Sequence, residues 1–280
     1  MKQRLITAAA ILAVTIPLVL FSQFITYPIV LSVLSVIAVF EILRVLSVEK
    51  EYVLSIPAYI LAGVLPLASY FASENNSVYL LSVAALQFTY LVYVMGVAVF
   101  SKGRIGFKLI SEIFMMETYV VVSFSSMSLI RYLDKAVGLY ILIIVFVVSW
   151  VTDSGAYIVG SLMGKHKLIP EVSPKKTVEG AVGGIIMALL AMLLYGLIID
   201  LWVEGISVNY ISLCILGPVL SVVSQLGDLF ASLLKREHDT KDYGTIFPGH
   251  GGVMDRFDSI IAVSTILLIL SRVLPPFAAA

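Results

Sequence analysis

Residues 224–258 read SQLGDLFASLLKREHDTKDYGTIFPGHGGVMDRFD, and they break an otherwise apolar chain. These 35 of 280 residues hold 10 of the 36 charged side chains and two of the three histidines. The rest is dominated by lipid-compatible runs: hydrophobic residues make up 60%, charged residues 13%, and the mean hydropathy is +1.05. A soluble domain carries roughly 45–50% apolar and about 25% charged residues. The composition therefore excludes a water-exposed core-and-shell domain and predicts an all-α polytopic integral membrane protein. Ionisable groups at membrane depth are costly and mark function, so residues 224–258 are where chemistry is expected.

Working outward, nine runs are long enough to span a bilayer: about 5–24, 26–43, 52–72, 78–100, 107–130, 137–158, 179–200, 208–233 and 257–274. Lys2 and Arg4 followed by Leu5 to Phe21 read as a retained first helix, because another apolar run follows at once. With the N-terminus inside, fifteen of the eighteen Lys and Arg residues fall on the cytoplasmic side. Only Arg131, Lys135 and Arg272 fall outside. That bias predicts about nine transmembrane helices, with the N-terminus cytoplasmic and the C-terminus outside. No internal repeat is visible. Polar groups crowd into the second half, which suggests N-terminal scaffold helices over 1–135 and a catalytic region over 136–280. The lone Cys214 reads as a small buried hydrophobe, and Ala278 to Ala280 carry no weight.

Helical phase gathers the polar groups. At 100° per residue, Ser221, Ser224, Gln225, Asp228, Ser232 and Lys235 form one stripe on the eighth run. Asp255, Asp258 and Ser259 share a face at the start of the ninth, while Asp153 lies towards the inner end of the sixth. Asp228 and Asp255 are expected to converge in the cytoplasmic half. Ser221 or Ser259 alone could equally be helix–helix glue. Two facing carboxylates repel unless cations intervene, and beside Lys and Arg they suit a site for Mg²⁺ and phosphate. The segment from Ser173 to Gly180 reads as a basic loop presenting Lys175, Lys176 and Thr177 at a helix N-terminus, a natural anion site. Gly249, Gly251 and Gly252, flanking His250, let backbone amides approach phosphate. Either loop alone also fits a topology determinant or a lipid-headgroup contact. Nucleotide-binding P-loop, dinucleotide and zinc-protease motifs are absent. His166 and His238 read as solvated loop residues.

Taken together, Ser232-x-x-Lys235-Arg236, Lys241-Asp242, Pro248-Gly249-His250-Gly251-Gly252 and Asp255-Arg256-x-Asp258 closely resemble the signature of phosphatidate cytidylyltransferases (CDP-diacylglycerol synthases), in their bacterial form. Trp150-x-x-Asp153-x-x-Ala156-Tyr157, the Ser173-to-Gly180 segment and Gln225-x-Gly227-Asp228 agree with it. The resemblance is specific from about Arg131 to Ser259 and general before that. It implies conversion of CTP and phosphatidic acid to CDP-diacylglycerol and pyrophosphate at the cytoplasmic face of the inner membrane, with Mg²⁺ in two cation sites and a homodimeric assembly. No nucleic-acid partner is expected.

In that light Asp228 and Asp255 would bind metal, with Asp258 and Asp153 as supports or additional ligands. Lys175, Lys176, Lys235, Arg236 and Lys241 would hold the triphosphate and the lipid phosphate. Ser224, Gln225, Ser232 and Thr177 would line the substrates, and Gly249 to Gly252, His250 included, would hold the pyrophosphate portion. Arg256 either joins the phosphate ligands or orients the carboxylates. The phosphate nucleophile has a second pKa of about 6 and needs no strong base. Two rivals remain: a CTP-dependent polyprenol or phytol kinase, and a cation-coupled transporter using Asp228 and Asp255 as ion ligands.

Overall fold

Twenty residues of α-helix rise about 30 Å, the thickness of a bilayer's hydrocarbon core, and the apolar runs have become helices of that length. The computed structural model describes residues 13–74, 76–132, 134–249 and 251–279. Its helices are α1 (Thr26–Val45), α2 (Tyr52–Ala68, continued by a 3₁₀ segment Ser69–Glu74), α3 (Asn76–Phe100), α4 (Phe107–Tyr132), α5 (Gly138–Met163), α6 (Val178–Trp202), α7 (Tyr210–Glu237) and α8 (Met254–Val273). Four short strands accompany them: β1 (Lys167–Ile169), β2 (Ser173–Thr177), β3 (Ile206–Val208) and β4 (Phe277–Ala279). Among the described residues, seven helices, α1 to α7, are long and apolar enough to cross a membrane, so the chain is a multi-pass membrane protein. Of the first expected span, residues 5–12 lie outside the described residues, and residues 13–20 are helical. The ninth corresponds to α8, which carries Asp255, Arg256 and Asp258 in its first two turns.

The chain divides into two units, Met1–Leu133 with His238–Arg256, and Asp134–Glu237 with Phe257–Ala280. In the first, α1, α2 and α4 pack on one another and α3 lies against α4. The end of α1 is fixed by local geometry. Val48 N–H donates to Leu43 C=O (2.9 Å) and Ser47 N–H to Arg44 C=O (3.0 Å), with Ser47 left-handed at φ 59°. That is a Schellman cap with serine in place of glycine.

In the second unit α5, α6 and α7 pack together, most closely α5 with α6. Small residues permit the approach. A methyl added at Gly180 would lie 2.7 Å from the Ala156 carbonyl oxygen, and one at Gly184 would lie 2.9 Å from that of Thr152. Gly180 and Gly184 are one turn apart, the spacing that brings membrane helices into backbone contact. Thr177 caps α6, its Oγ1 accepting from Gly180 N–H at 3.1 Å.

Three local expectations are corrected. Ser173–Thr177 is not a loop but a strand, antiparallel to Lys167–Ile169 with Lys167 opposite Thr177. Phe277–Ala279 pairs with Ile206–Val208, and the Phe277 ring packs on Tyr140 and Tyr195, so the C-terminal residues have a structural task. Cys214 is exposed on α7 rather than buried, in the first turns of the helix beside the exposed Ile211 and Ile215.

Candidate active site

The six residues of the α7 stripe do face the protein, and successive turns reach successive neighbours. Thr152 Oγ1 of α5 donates to Ser221 Oγ at 2.9 Å. One turn on, Gln225 Nε2 donates to the Ala181 carbonyl of α6 at 3.2 Å. Next, Asp228 Oδ2 meets Lys176 Nζ of β2 at 2.6 Å, and Ser232 Oγ donates to Asp228 Oδ1 at 3.4 Å. Ser221 and Gln225 therefore fasten helices. Ser224 is fully buried, and its hydroxyl has no hydrogen-bond partner among the described residues.

The strand geometry of β2 separates two lysines that the sequence presents as a pair. Adjacent strand residues point to opposite sides. Lys176 turns inward to Asp228, while Lys175 is exposed. A carboxylate from α6 stiffens the hairpin: Glu179 accepts from Lys165 N–H at 3.1 Å, from His166 N–H at 3.2 Å, and meets His166 Nδ1 at 2.6 Å.

Around Asp228 the second unit collects further charge. Asp258 of α8 lies within electrostatic reach of Asp228, Lys235 and Asp153. Its Oδ1 accepts from Ser259 N–H at 2.8 Å, and Ser259 Oγ donates to Asp153 Oδ2 at 3.3 Å. Lys235 is buried at 9% exposure, whereas Arg236 is exposed. Three carboxylates and two ammonium groups thus share one region. No group of three His, Cys, Asp or Glu side chains forms a finished metal cage among the described residues. The donor set is all hard oxygen, and Mg²⁺ ordinarily takes one or two carboxylates and completes its shell with phosphate oxygens and water. These residues fit that ion.

The first unit carries the signature loop, His238–Arg256. Asp255 organises it: Oδ2 accepts from Tyr243 N–H (2.7 Å), Gly252 N–H (2.9 Å) and Gly244 N–H (3.4 Å). Phe247 N–H donates to Gly251 C=O at 2.9 Å, closing a turn through Pro248 and Gly249. Gly249 and Gly251 take φ of 75° and 83°, the left-handed region, and a methyl at Gly251 would lie 2.5 Å from Asp255 Oδ2. The loop frames a cleft of about 620 Å³ whose walls include Lys241, Arg256, Thr245, Gly249 and Gly251. His250 lies outside the described residues.

Sequence reasoning missed Glu41. This α1 residue is 1% exposed, and its carboxylate accepts from Val253 N–H (3.0 Å) and Met254 N–H (2.9 Å). Three residues on, Arg44 Nη2 donates to the Tyr243 carbonyl. A single acid within an apolar helix was the available signal. His238 is also not a plain solvated residue: its ring is largely covered, with Nε2 3.5 Å from Glu112 Oε2.

Fold and site together define a class: a membrane helix bundle with clustered acidic and basic groups. The chain belongs to the cytidylyltransferase family, whose model matches residues 2–274. It is an enzyme that transfers a cytidylyl group. Among its relatives, the phosphatidate cytidylyltransferase of Bacillus subtilis is 38% identical, over 96% of this chain and 97% of that protein. Those of Staphylococcus saprophyticus and Staphylococcus aureus are 39% and 34% identical, each over 96% of this chain and 98% of the relative.

Proposed function

We propose that this chain transfers CMP from CTP to phosphatidic acid, giving CDP-diacylglycerol and pyrophosphate. The observation that carries this reading is the gathering of Asp153, Asp228 and Asp258 with Lys176 and Lys235, at motif positions of a chain matched along its length to cytidylyltransferases. A phosphate oxygen of phosphatidic acid attacks the α-phosphorus of CTP, and the bond to the bridging oxygen of the β-phosphate breaks. The attacking monoester is already largely anionic at neutral pH. The obstacle is bringing one anion to another, which positioning and charge neutralisation overcome.

Lys176 and Lys235 would hold phosphate beside Asp228, while Lys175 and Arg236 would meet headgroup or nucleotide phosphate from solvent. Lys241, Arg256 and the Gly249–Gly251 turn would take the triphosphate of CTP. Mg²⁺ would be held by Asp228 with Asp258 and Asp153, while Asp255 would shape the loop through the three amides that donate to its Oδ2. When bound, the ion would offset developing charge on the phosphoryl oxygens.

The Lys and Arg distribution supports a site that faces the cytoplasm, and the family resemblance implies the cell's inner membrane. Two cation sites and a homodimer are expectations drawn from the family resemblance. CTP labelled at the α-phosphate or in the cytidine, incubated with phosphatidic acid and Mg²⁺, should place label in the lipid. Label entering lipid only from the γ-phosphate would establish the kinase instead. Substrate flux across vesicles without covalent change would establish the transporter.

A further inference from the structure

Glu41 belongs to none of the motifs, yet it is among the most specifically seated side chains in the first unit. A carboxylate buried to 1% exposure in an apolar helix is costly unless hydrogen bonds satisfy it. Here both oxygens are used. Oε1 accepts from Val253 N–H and Oε2 from Met254 N–H, the orphan donors at the start of α8. The positive end of the α8 dipole adds to this attraction.

The loop is shaped around that carboxylate. A Cβ at Gly252 would overlap the Glu41 carboxylate, and the three atoms nearest to such a Cβ all belong to Glu41. A Cβ at Gly244 would overlap it too. Arg44, on the next turn of α1, holds the Tyr243 carbonyl. Helix α1 therefore grips the loop at both ends, at Tyr243–Gly244 and at Gly252–Met254. The amides at the start of α8 would otherwise be an anion site. Because Glu41 fills that role, substrate phosphate must find its partners in the cleft, at Lys241, Arg256 and the glycine turn.

We propose that Glu41 is a positioning residue for nucleotide binding, acting through the Val253 and Met254 amides on Gly251 and Arg256. It touches no substrate. The inference rests on the reading that the loop cleft receives the triphosphate of CTP.

Full-length E41Q and E41D provide the test, with CTP and phosphatidic acid varied independently and thermal unfolding followed in the same micelles. Loss of one charged acceptor should raise KM for CTP about tenfold, with KM for phosphatidic acid and the unfolding midpoint little changed. Gly252→Ala should also raise KM for CTP, with a lowered unfolding midpoint because its methyl overlaps the Glu41 carboxylate, and in an E41A background both effects should largely disappear, since the group it collides with is gone. Unchanged KM for CTP in E41Q would overturn the proposal. So would parallel rises in both KM values, or failure of both E41Q and E41D to fold, which would assign Glu41 to the fold alone. Lys241→Ala separates the two readings. If it leaves KM for CTP unchanged, the cleft assignment fails; if it raises KM while E41Q does not, only the role of Glu41 fails.

Discussion

Lys176 Nζ lies 2.6 Å from Asp228 Oδ2, and both side chains are about seven-tenths covered, at 27% and 29% exposure. This contact joins the start of α6 to α7 through a strand. It makes the basic segment before α6 part of the acidic cluster rather than a free surface loop. Removing one member of a half-buried pair leaves the other uncompensated, so the two should behave as a unit. Asp228→Asn and Lys176→Ala should each lower CMP transfer by about 100-fold or more, and the double variant should fall well short of the product. Lys175→Ala, on the exposed side of the strand, should cost less than about fivefold. Steady-state assays on the four proteins check this pattern.

Metal dependence should be complete and should map to the second unit's carboxylates. EDTA should abolish CDP-diacylglycerol formation and added Mg²⁺ restore it. Asp258→Asn or Asp153→Asn should raise the Mg²⁺ concentration for half-maximal rate by about tenfold or more. Activity that persists in EDTA would remove the metal from the mechanism.

The left-handed glycines separate strain from function. Gly205 (φ 77°) has open space where a Cβ would go, whereas at Gly251 (φ 83°) a Cβ meets the Asp255 carboxyl. Alanine at either should cost about 1 kcal/mol or more in backbone strain. Only Gly251→Ala should also cut turnover, because it displaces the acceptor that holds Tyr243 and Gly252. Paired thermal unfolding and activity measurements distinguish the two.

Helix contact in the second unit is tested at Gly183, where an added methyl would lie 2.5 Å from Val159 Cβ. Gly183→Ala should destabilise by about 1–3 kcal/mol through overpacking. Thermal unfolding in detergent should show the shift.

The helices were legible because a run of about twenty apolar residues has few alternatives in a membrane. The predicted run at 179–200 matches Val178–Trp202, and that at 107–130 matches Phe107–Tyr132. The face of α7 was legible as well, since Ser221, Gln225 and Asp228 follow strict helical spacing. What the sequence concealed is short or long-range. Five residues, Ser173–Thr177, form too brief a strand to show a period, so Lys175 and Lys176 looked equivalent. The β3–β4 pairing joins segments far apart in the chain, and nothing in Phe277–Ala279 announces it. Glu41 showed only as a lone acid in an apolar run, and its role was concealed for the same reason: its partners lie 212 and 213 residues away.

That separation bears on how the protein is made. Translation at about 5–20 residues per second delivers Glu41 to the bilayer roughly 10–40 seconds before Val253 and Met254 exist. During that interval the nascent chain must keep a carboxyl group in an apolar helix without its two amide donors. Protonation, or a stand-in partner from the insertion machinery, would bridge the gap. A chain truncated before His238 would never leave that state, which makes completion of the loop a natural checkpoint for quality control.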